Sequence, residues 1–243
     1  MSKLNINVPE SNCLYLSWMK PFDKEQRRDR RIVGVFFKEG SDYLFKYHSF
    51  NGSLEKAIED GFIGYPAFPM NEVGKEFSNA LEIFSRRLPD RSRADFSMLK
   101  QAYALDENVE YSDYELLSHL SGRVASDEFE LITPFDGIAA GSKLLIEVTA
   151  VRRYVENVEG LAVGELVNLV HEPDNPFDKN AIKILRSNGN QIGYINRIQN
   201  QNVLSAIASL DTTSEIYRIN GNSFHPRVFI FTEFNESDVE KAA

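Results

Sequence analysis

The sequence has few of the residues and segments that would place the protein outside the cytoplasm. It has one cysteine, Cys13, in 243 residues, and a single cysteine cannot form an internal disulfide. No apolar run approaches the length of about 18 residues that a membrane helix requires. The amino end, MSKLNINVPESN, is polar and unlike a signal peptide. We therefore expect a cytoplasmic protein that has no membrane partner.

Motifs for metals, cofactors and catalysis are also missing. The histidines are scattered without zinc-ligand spacing, at His48, His119, His171 and His225. We find no Gly-rich phosphate loop, no H-x-D or D-F-G kinase motif, no G-x-S-x-G elbow and no H-E-x-x-H helix. Gly137 and Gly141 are too widely spaced for a P-loop. We predict a protein that is not an enzyme, with no catalytic residue, metal or cofactor and no kinase activity.

The charge argues against a general nucleic-acid binder. The net charge is −9, and non-specific affinity depends on neutralising phosphates. Residues 140–235 are nearly neutral, however, with nine Lys and Arg against ten Asp and Glu. A module of that charge can hold a strand end, and its binding should be weak and sensitive to salt.

The segment Glu172 to Ile184, EPDNPFDKNAIKI, predicts a shaped loop that precedes a strand. Proline fixes φ, and Asp and Asn side chains bond their own backbone, so the residues around Phe177 should be rigid. Rigid loops are where binding sites are built. The alternative is that Asp178 and Asn180 only close an Asx turn before the strand.

The segments on either side of this loop complete a family pattern. LLIEVTAVRRY (Leu144 to Tyr154) precedes it and NGNQIGYINR (Asn188 to Arg197) follows it. Over about residues 140–234 the chain resembles a HIRAN domain. The resemblance implies a small OB-like β-barrel that binds the 3′ end of single-stranded DNA. Strand patterns lie around Leu144, Val163, Ile182, Ile192, Ile216 and Val228, and only Val203 to Leu210 predicts a helix.

The resemblance carries residue roles onto the loop. Asn175, Phe177 and Asp178 match the positions that, in DNA-binding members, stack a terminal base and contact the 3′-hydroxyl. Phe177 stands where an aromatic residue is usual.

The roles outside the loop match less evenly. Arg152 matches a strand arginine that approaches the nucleic acid, and Arg197 stands where a lysine meets phosphate. Arg153 replaces a usual stacking tyrosine, with Tyr154 one position later. Tyr194 replaces a residue, often histidine, on the return strand of the hairpin. Tyr194 is a stacking candidate, and the alternative is a half-buried strand aromatic.

The amino-terminal half predicts a hairpin followed by three helices. Ile32 to Phe37 and Tyr43 to Tyr47 have the β-branched and aromatic content of paired strands. Apolar residues recur at helical spacing over 77–84 and 96–103, and Ser112-x-x-Glu115 is a capping box before a third helix. Between sheet and helices, GFIGYPAFP (residues 61–69) suggests core packing, with a peptide-binding groove as the alternative.

This half resembles the amino-terminal subdomain of HipA-type kinases over about residues 13–132. The matching segments are Leu14 to Trp18, the hairpin, Gly64 to Pro69, Phe84 to Phe96 and Asp113 to Leu131. The kinase core is missing from the chain. The resemblance implies contact with a separately encoded HipA-like kinase.

Two basic clusters allow two interpretations. They are Lys24 to Arg31 and the group Arg86, Arg87, Arg91 and Arg93. Acidic residues interrupt both clusters, which favours solvated or internally paired side chains. An acidic partner surface is the alternative.

We therefore predict an α+β protein with two domains. Residues 10–133 form a mixed sheet with helices, and residues 140–235 form a small OB-like β-barrel with one or two helices. The leading functional hypothesis is a regulatory or antitoxin-like protein of a HipA-type system whose HIRAN module recognises nucleic acid. The alternatives are a DNA-end-binding module in repair or defence, and a hydrolase or nuclease with an unrecognised site.

Overall fold

A computed structural model describes residues 4–7, 9–20, 30–71, 73–222 and 225–237. Contacts divide these residues into two compact units. The amino-terminal unit comprises Glu10–Phe96 and Val109–Pro134, and the carboxyl-terminal unit comprises the described parts of Met1–Pro9, Ser97–Asn108 and Phe135–Ala243. Both units combine a sheet with helices, so the α+β prediction is confirmed. The segment Ser97–Asn108 groups with the second unit, although it lies within residues 10–133 of the predicted first domain.

The amino-terminal unit contains a four-stranded antiparallel sheet in the order β3-β2-β1-β4. Its strands are β1 Cys13–Met19, β2 Arg30–Glu39, β3 Asp42–Tyr47 and β4 Phe129–Ile132. The predicted hairpin is confirmed as β2 and β3. Gly34 on β2 is required because a Cβ there would lie 2.5 Å from the ring of Phe45.

Three short helices pack against this sheet around an aromatic core, namely α1 Ser53–Glu59, α2 Ala80–Ser85 and α4 Asp113–Leu120. Helix α3 Phe96–Ala102 lies almost entirely in Ser97–Asn108, which groups with the carboxyl-terminal unit. The predicted capping box at Ser112 and Glu115 is present with both of its hydrogen bonds. The ring centroids of Phe45 and Phe68 lie 4.6 Å apart, so the residue 61–69 segment contributes to the core as the packing interpretation expects.

The second basic cluster is internally paired. Arg87 is buried and makes a bidentate ion pair with Asp127 at 2.7 and 2.8 Å. The other members also pair with carboxylates, in the pairs Arg86–Glu82, Arg91–Asp113 and Arg93–Asp95. Residues 24–29 of the first cluster lie outside the described residues.

The carboxyl-terminal unit contains a six-stranded antiparallel sheet in the order β5-β10-β9-β6-β7-β8. Its strands are β5 Lys143–Glu147, β6 Leu166–His171, β7 Ile182–Arg186, β8 Gln191–Tyr194, β9 Leu210–Asn222 and β10 His225–Glu236. Two further helices belong to this unit, α5 Val155–Val158 and α6 Arg197–Ile207. None of the helices in the described ranges has both the length and the apolar content needed to cross a membrane.

The sheet is curled so that its two outer strands meet. Thr149, just beyond β5, pairs with Tyr194 at the end of β8 through backbone hydrogen bonds of 2.8 and 3.0 Å. Gly193 permits this approach, because a Cβ there would lie 2.4 Å from the carbonyl oxygen of Thr149. Leu144 and Ile146 point into a closed apolar core. The arrangement is consistent with the predicted OB-like barrel.

Three local predictions in this unit need correction. The strand predicted around Val163 begins only at Leu166, and Val163 is exposed in the preceding loop. The helix predicted over 203–210 is α6, which begins at Arg197 because the side chain of Asn196 caps it. Residues Val151–Tyr154 form a 3₁₀ turn rather than a strand, because Ala150 adopts a left-handed conformation with φ 59°. Arg152 is therefore not on a strand.

Candidate nucleic-acid interface

Asn175 organises the loop between β6 and β7. Its Oδ1 accepts hydrogen bonds from the backbone N–H groups of Phe177 (3.0 Å) and Asp178 (3.2 Å). Its Nδ2 donates to Glu172 Oε2 at 2.6 Å. Because both ends of the amide are used within the loop, Asn175 shapes the loop rather than facing outward.

This loop presents an aromatic ring to solvent. Phe177 is 81% exposed, whereas the backbone on both sides of it is fixed by Asx hydrogen bonds. Single exposed apolar side chains are common on protein surfaces. A ring on a rigid loop is also a preorganised stacking surface, because little conformational entropy is left to lose when a base lies on it.

Asp178 follows Phe177 in the loop, and its carboxylate is restrained from two directions. Its Oδ1 accepts from the backbone N–H of Asn180 at 3.0 Å, which is the Asx turn of the alternative interpretation. Its Oδ2 accepts from Asn200 Nδ2 at 2.8 Å and lies 3.9 Å from Arg197 Nε. Both Arg197 and Asn200 belong to the start of α6, where the helix dipole favours a carboxylate.

Acceptor capacity remains on Asp178 for a ligand. Its side chain is 18% exposed. A carboxylate offers about four lone-pair sites, and the contacts with Asn180 and Asn200 use two of them. A hydroxyl donor can therefore be accepted without breaking either contact.

Glu172 connects the loop to the hairpin. Its Oε2 accepts from the Tyr194 hydroxyl at 3.0 Å as well as from Asn175, and Lys183 Nζ lies 3.7 Å from its Oε1. These contacts lower the pKa of Glu172, first through the Asn175 hydrogen bond and then through Tyr194 and Lys183. Glu172 thus stays ionised and fixes the position of the Tyr194 ring.

Tyr154 lies next to Tyr194. Their ring centroids are 6.2 Å apart at an interplanar angle of 58°. Burial raises the pKa of Tyr154 to about 12, with further contributions from the contact with Tyr194 and from the charge of Glu172. The two tyrosines form an aromatic pair, with Tyr194 half-buried as the strand interpretation expects.

Positive charge near this pair is not neutralised. Arg152 and Arg153 are exposed on the 3₁₀ turn before Tyr154, and Lys179 is exposed in the loop. No described residue forms an ion pair with the side chains of these three. The Arg197 side chain is 58% exposed, and its one ion-pair contact with a described residue is the long one to Asp178. These cations are available for phosphate groups.

A continuous chain of contacts brings most of the predicted site residues together. It runs from Tyr154 to Tyr194, through Glu172 to Asn175, and on to Phe177, Asp178 and Arg197. Arg152 and Arg153 directly precede Tyr154, and the charge of Arg153 acts on Tyr154, where it opposes the rise in pKa. Among the described residues, no hydrogen bond or ion pair joins the side chain of either arginine to the loop.

Two residues of the site were not predicted. Glu172 begins the loop segment, but its sequence context assigns it no role. Its contact with Tyr194 depends on the pairing of β6, β7 and β8. Asn200 lies in the polar run RIQNQN and gives no periodic signal that it is buried. Within the described ranges, no three or more His, Cys, Asp or Glu side chains are grouped so that they could hold a metal ion.

Comparison with known proteins places a family match on this region. The model of the HIRAN domain family matches residues 143–230. The mouse helicase-like transcription factor is 34% identical over 102 residues, which is 37% of this chain and 10% of the mouse protein. The human helicase-like transcription factor is 40% identical over 62 residues, or 26% of this chain and 6% of that protein. The chain thus spans about a tenth or less of the length of these relatives.

Two solved structures of HIRAN domains are also similar to this chain. The crystal structure of the HIRAN domain of human HLTF is 27% identical with a TM-score of 0.32, covering 41% of this chain and 81% of that chain. The NMR structure of the HLTF HIRAN domain in its DNA-bound conformation is 27% identical with a TM-score of 0.28, covering 45% of this chain and 87% of that chain.

Proposed function

We propose that this chain, whose residues 143–230 form a HIRAN domain, binds the free 3′ end of single-stranded DNA through the loop that carries Phe177. The observation that carries the proposal is an exposed ring on a rigid loop, followed in the sequence by a carboxylate that still has acceptor capacity. The family resemblance implies a 3′ end as the ligand. A related HIRAN domain has been solved in a DNA-bound conformation.

Each part of the site has a separate role in this proposal. Phe177 stacks on the terminal base, an interaction worth roughly 1–3 kcal/mol. Asp178 accepts a hydrogen bond from the 3′-hydroxyl. Arg152, Arg153 and Arg197 contact phosphates, so that replacing one of these arginines with glutamine should reduce the slope of log affinity against log salt by about 0.7.

In this proposal, the pair of Tyr154 and Tyr194 supplies the stacking surface that Arg153 does not provide. Arg153 stands at a position where the family usually has a stacking tyrosine. Tyr154 and Tyr194 offer a second aromatic surface that Glu172 holds in place. Stacking does not depend on the sequence of the strand, so we expect little sequence preference.

End chemistry gives the sharpest test. Two oligonucleotides of the same sequence, one ending in a 3′-hydroxyl and one in a 3′-phosphate, are titrated into the wild-type protein and into Asp178→Ala. The phosphate faces Asp178 with repulsion of about 1 kcal/mol per charge pair even in water. The wild type should therefore bind the hydroxyl end about fivefold or more tightly, and Asp178→Ala should lose this preference. Equal binding of the two oligonucleotides by the wild type contradicts the proposal.

The roles predicted for the rest of the chain stay predictions. The family match covers 143–230, so the resemblance of residues 13–132 to a HipA-type subdomain, and contact with a HipA-like kinase, await a pulldown from the native host. The absence of enzymatic activity awaits calorimetry with ATP and magnesium. The DNA-end-binding function is the one that the site geometry supports.

A further inference from the structure

Asn200 is a polar side chain in a buried position near the start of α6. It is 3% exposed. Ile198 and Val203 of the same helix are also buried and belong to apolar surroundings. Burial of an amide is unfavourable unless its hydrogen bonds are made. An apolar residue would satisfy packing at this position, so the presence of asparagine needs a reason.

Only one end of the Asn200 amide is satisfied. Its Nδ2 donates to Asp178 Oδ2 at 2.8 Å. Its Oδ1 is fully buried and accepts no hydrogen bond from any residue in the part of the chain that the structure describes. A buried amide oxygen that accepts no hydrogen bond costs stability, so the fold gains from this asparagine chiefly through the Nδ2 bond. Among the described residues, the one hydrogen bond that the Asn200 side chain makes is directed to the loop carboxylate.

This bond is the short contact that fixes the carboxylate to the barrel. The bond from the Asn180 N–H to Oδ1 lies within the loop and moves with it. Arg197 Nε is 3.9 Å away on an exposed side chain, which is too far for a hydrogen bond. Without Asn200, the plane of the Asp178 carboxylate could turn about the Cβ–Cγ bond.

We infer that Asn200 is a positioning residue for recognition of the 3′ end: it holds the Asp178 carboxylate in the orientation that accepts the terminal hydroxyl. This inference rests on the proposed function, and it assigns Asn200 no contact with the strand. A purely structural role for Asn200 would be to anchor the whole loop, and in that case its loss would affect Phe177 and Asp178 alike.

A double-mutant cycle separates these two roles. Wild type, Asn200→Ala, Asp178→Ala and the double variant are titrated with the matched oligonucleotides that end in 3′-hydroxyl and 3′-phosphate. Asn200→Ala should weaken binding of the hydroxyl end about three- to tenfold, the loss expected for one hydrogen bond, and leave the phosphate end within about twofold. In the Asp178→Ala background, Asn200→Ala should change neither affinity by more than about twofold. Ser205→Ala on the exposed face of α6 is the matched control and should resemble wild type.

The outcomes are distinguishable. If the wild type does not discriminate between the two ends, the proposed function fails. If the wild type does discriminate, three results would overturn only the positioning role. Asn200→Ala could keep the full preference for the hydroxyl end, or it could weaken binding of both oligonucleotides equally. It could also weaken binding as much in the Asp178→Ala background as in the wild type. The melting temperature of each variant is measured alongside its titration. If Asn200→Ala melts at a lower temperature than the wild type, Asn200→Leu, which fills the same space, replaces it. Failure of both variants to fold would overturn the inference, because Asn200 would then serve the fold.

Discussion

Replacing Phe177 with alanine should separate binding from stability. Because the ring is 81% exposed, its removal breaks few intramolecular contacts, and the free energy of unfolding should change by no more than about 0.5 kcal/mol. The loop should keep its shape, since Asn175 fixes it through the backbone N–H groups of residues 177 and 178. The variant should nevertheless lose the stacking free energy, roughly 1–3 kcal/mol, which is about 5- to 150-fold in affinity.

The assay is fluorescence anisotropy with a short labelled single strand that has a free 3′-hydroxyl, paired with urea denaturation of each variant. Phe177→Trp should retain the affinity because it retains a ring, and Phe177→Leu should lose most of it. Val163→Ala, at another exposed apolar side chain of the same unit, is the matched control and should bind like wild type. Equal affinity of wild type and Phe177→Ala would refute the stacking role. A large loss of stability in Phe177→Ala would refute the claim that the ring contributes little to folding.

Three further predictions concern the scaffold. Gly193→Ala should destabilise the carboxyl-terminal unit by about 1–3 kcal/mol in urea denaturation, because the new Cβ would collide with the carbonyl of Thr149. A crystal structure of the variant should show that the backbone pairing of Thr149 with Tyr194 is broken. Arg87→Ala should destabilise the amino-terminal unit by about 3–5 kcal/mol, because it leaves the partly buried Asp127 without its partner; a melting temperature equal to wild type contradicts this. Burial lowers the pKa of His119 to about 4, below the 6.5 of an unfolded chain, so its contribution to stability is present above about pH 6.5 and lost as the pH falls toward 4. When the pH is lowered from 7 to 5, the free energy of unfolding should therefore fall by about 1–2 kcal/mol less in His119→Gln than in the wild type. Urea denaturation at both pH values measures this difference.

Local signals in the sequence predicted those parts of the fold that depend on neighbouring residues. The hairpin of β2 and β3 follows from β-branched and aromatic runs, and the start of α4 follows from the capping box at Ser112. The shape of the 172–180 loop follows from proline and Asx residues that bond their own backbone. Each of these features is decided within a few residues of chain.

Long-range contacts decided what the sequence did not predict. The apolar alternation of β5 continues past Val148, and the left-handed turn at Ala150 that ends it has no strong local signal. The pairing of β1 with β4 joins segments more than 100 residues apart. The hydrogen bond between Glu172 and Tyr194 arises only when β6, β7 and β8 adopt their register.

The site shows the same division. Phe177 and Asp178 could be placed from the loop motif, because their exposure and turn geometry are local properties. Asn200 could not, because it becomes a partner of Asp178 only when α6 packs beneath the loop. The Tyr154 and Tyr194 pair likewise depends on the meeting of the two outer strands of the sheet.

An NMR titration tests the central claim most directly. Isotope-labelled protein is titrated with a short single strand that has a free 3′-hydroxyl, and the backbone amide signals are followed. The account predicts saturable shifts in the 172–180 loop, in the turn of Val151–Tyr154 and at the start of α6, with the signals of the amino-terminal sheet unchanged. The absence of shifts up to about 100 μM strand, the weak end of non-specific DNA affinity, or shifts confined to residues outside this surface, would contradict it.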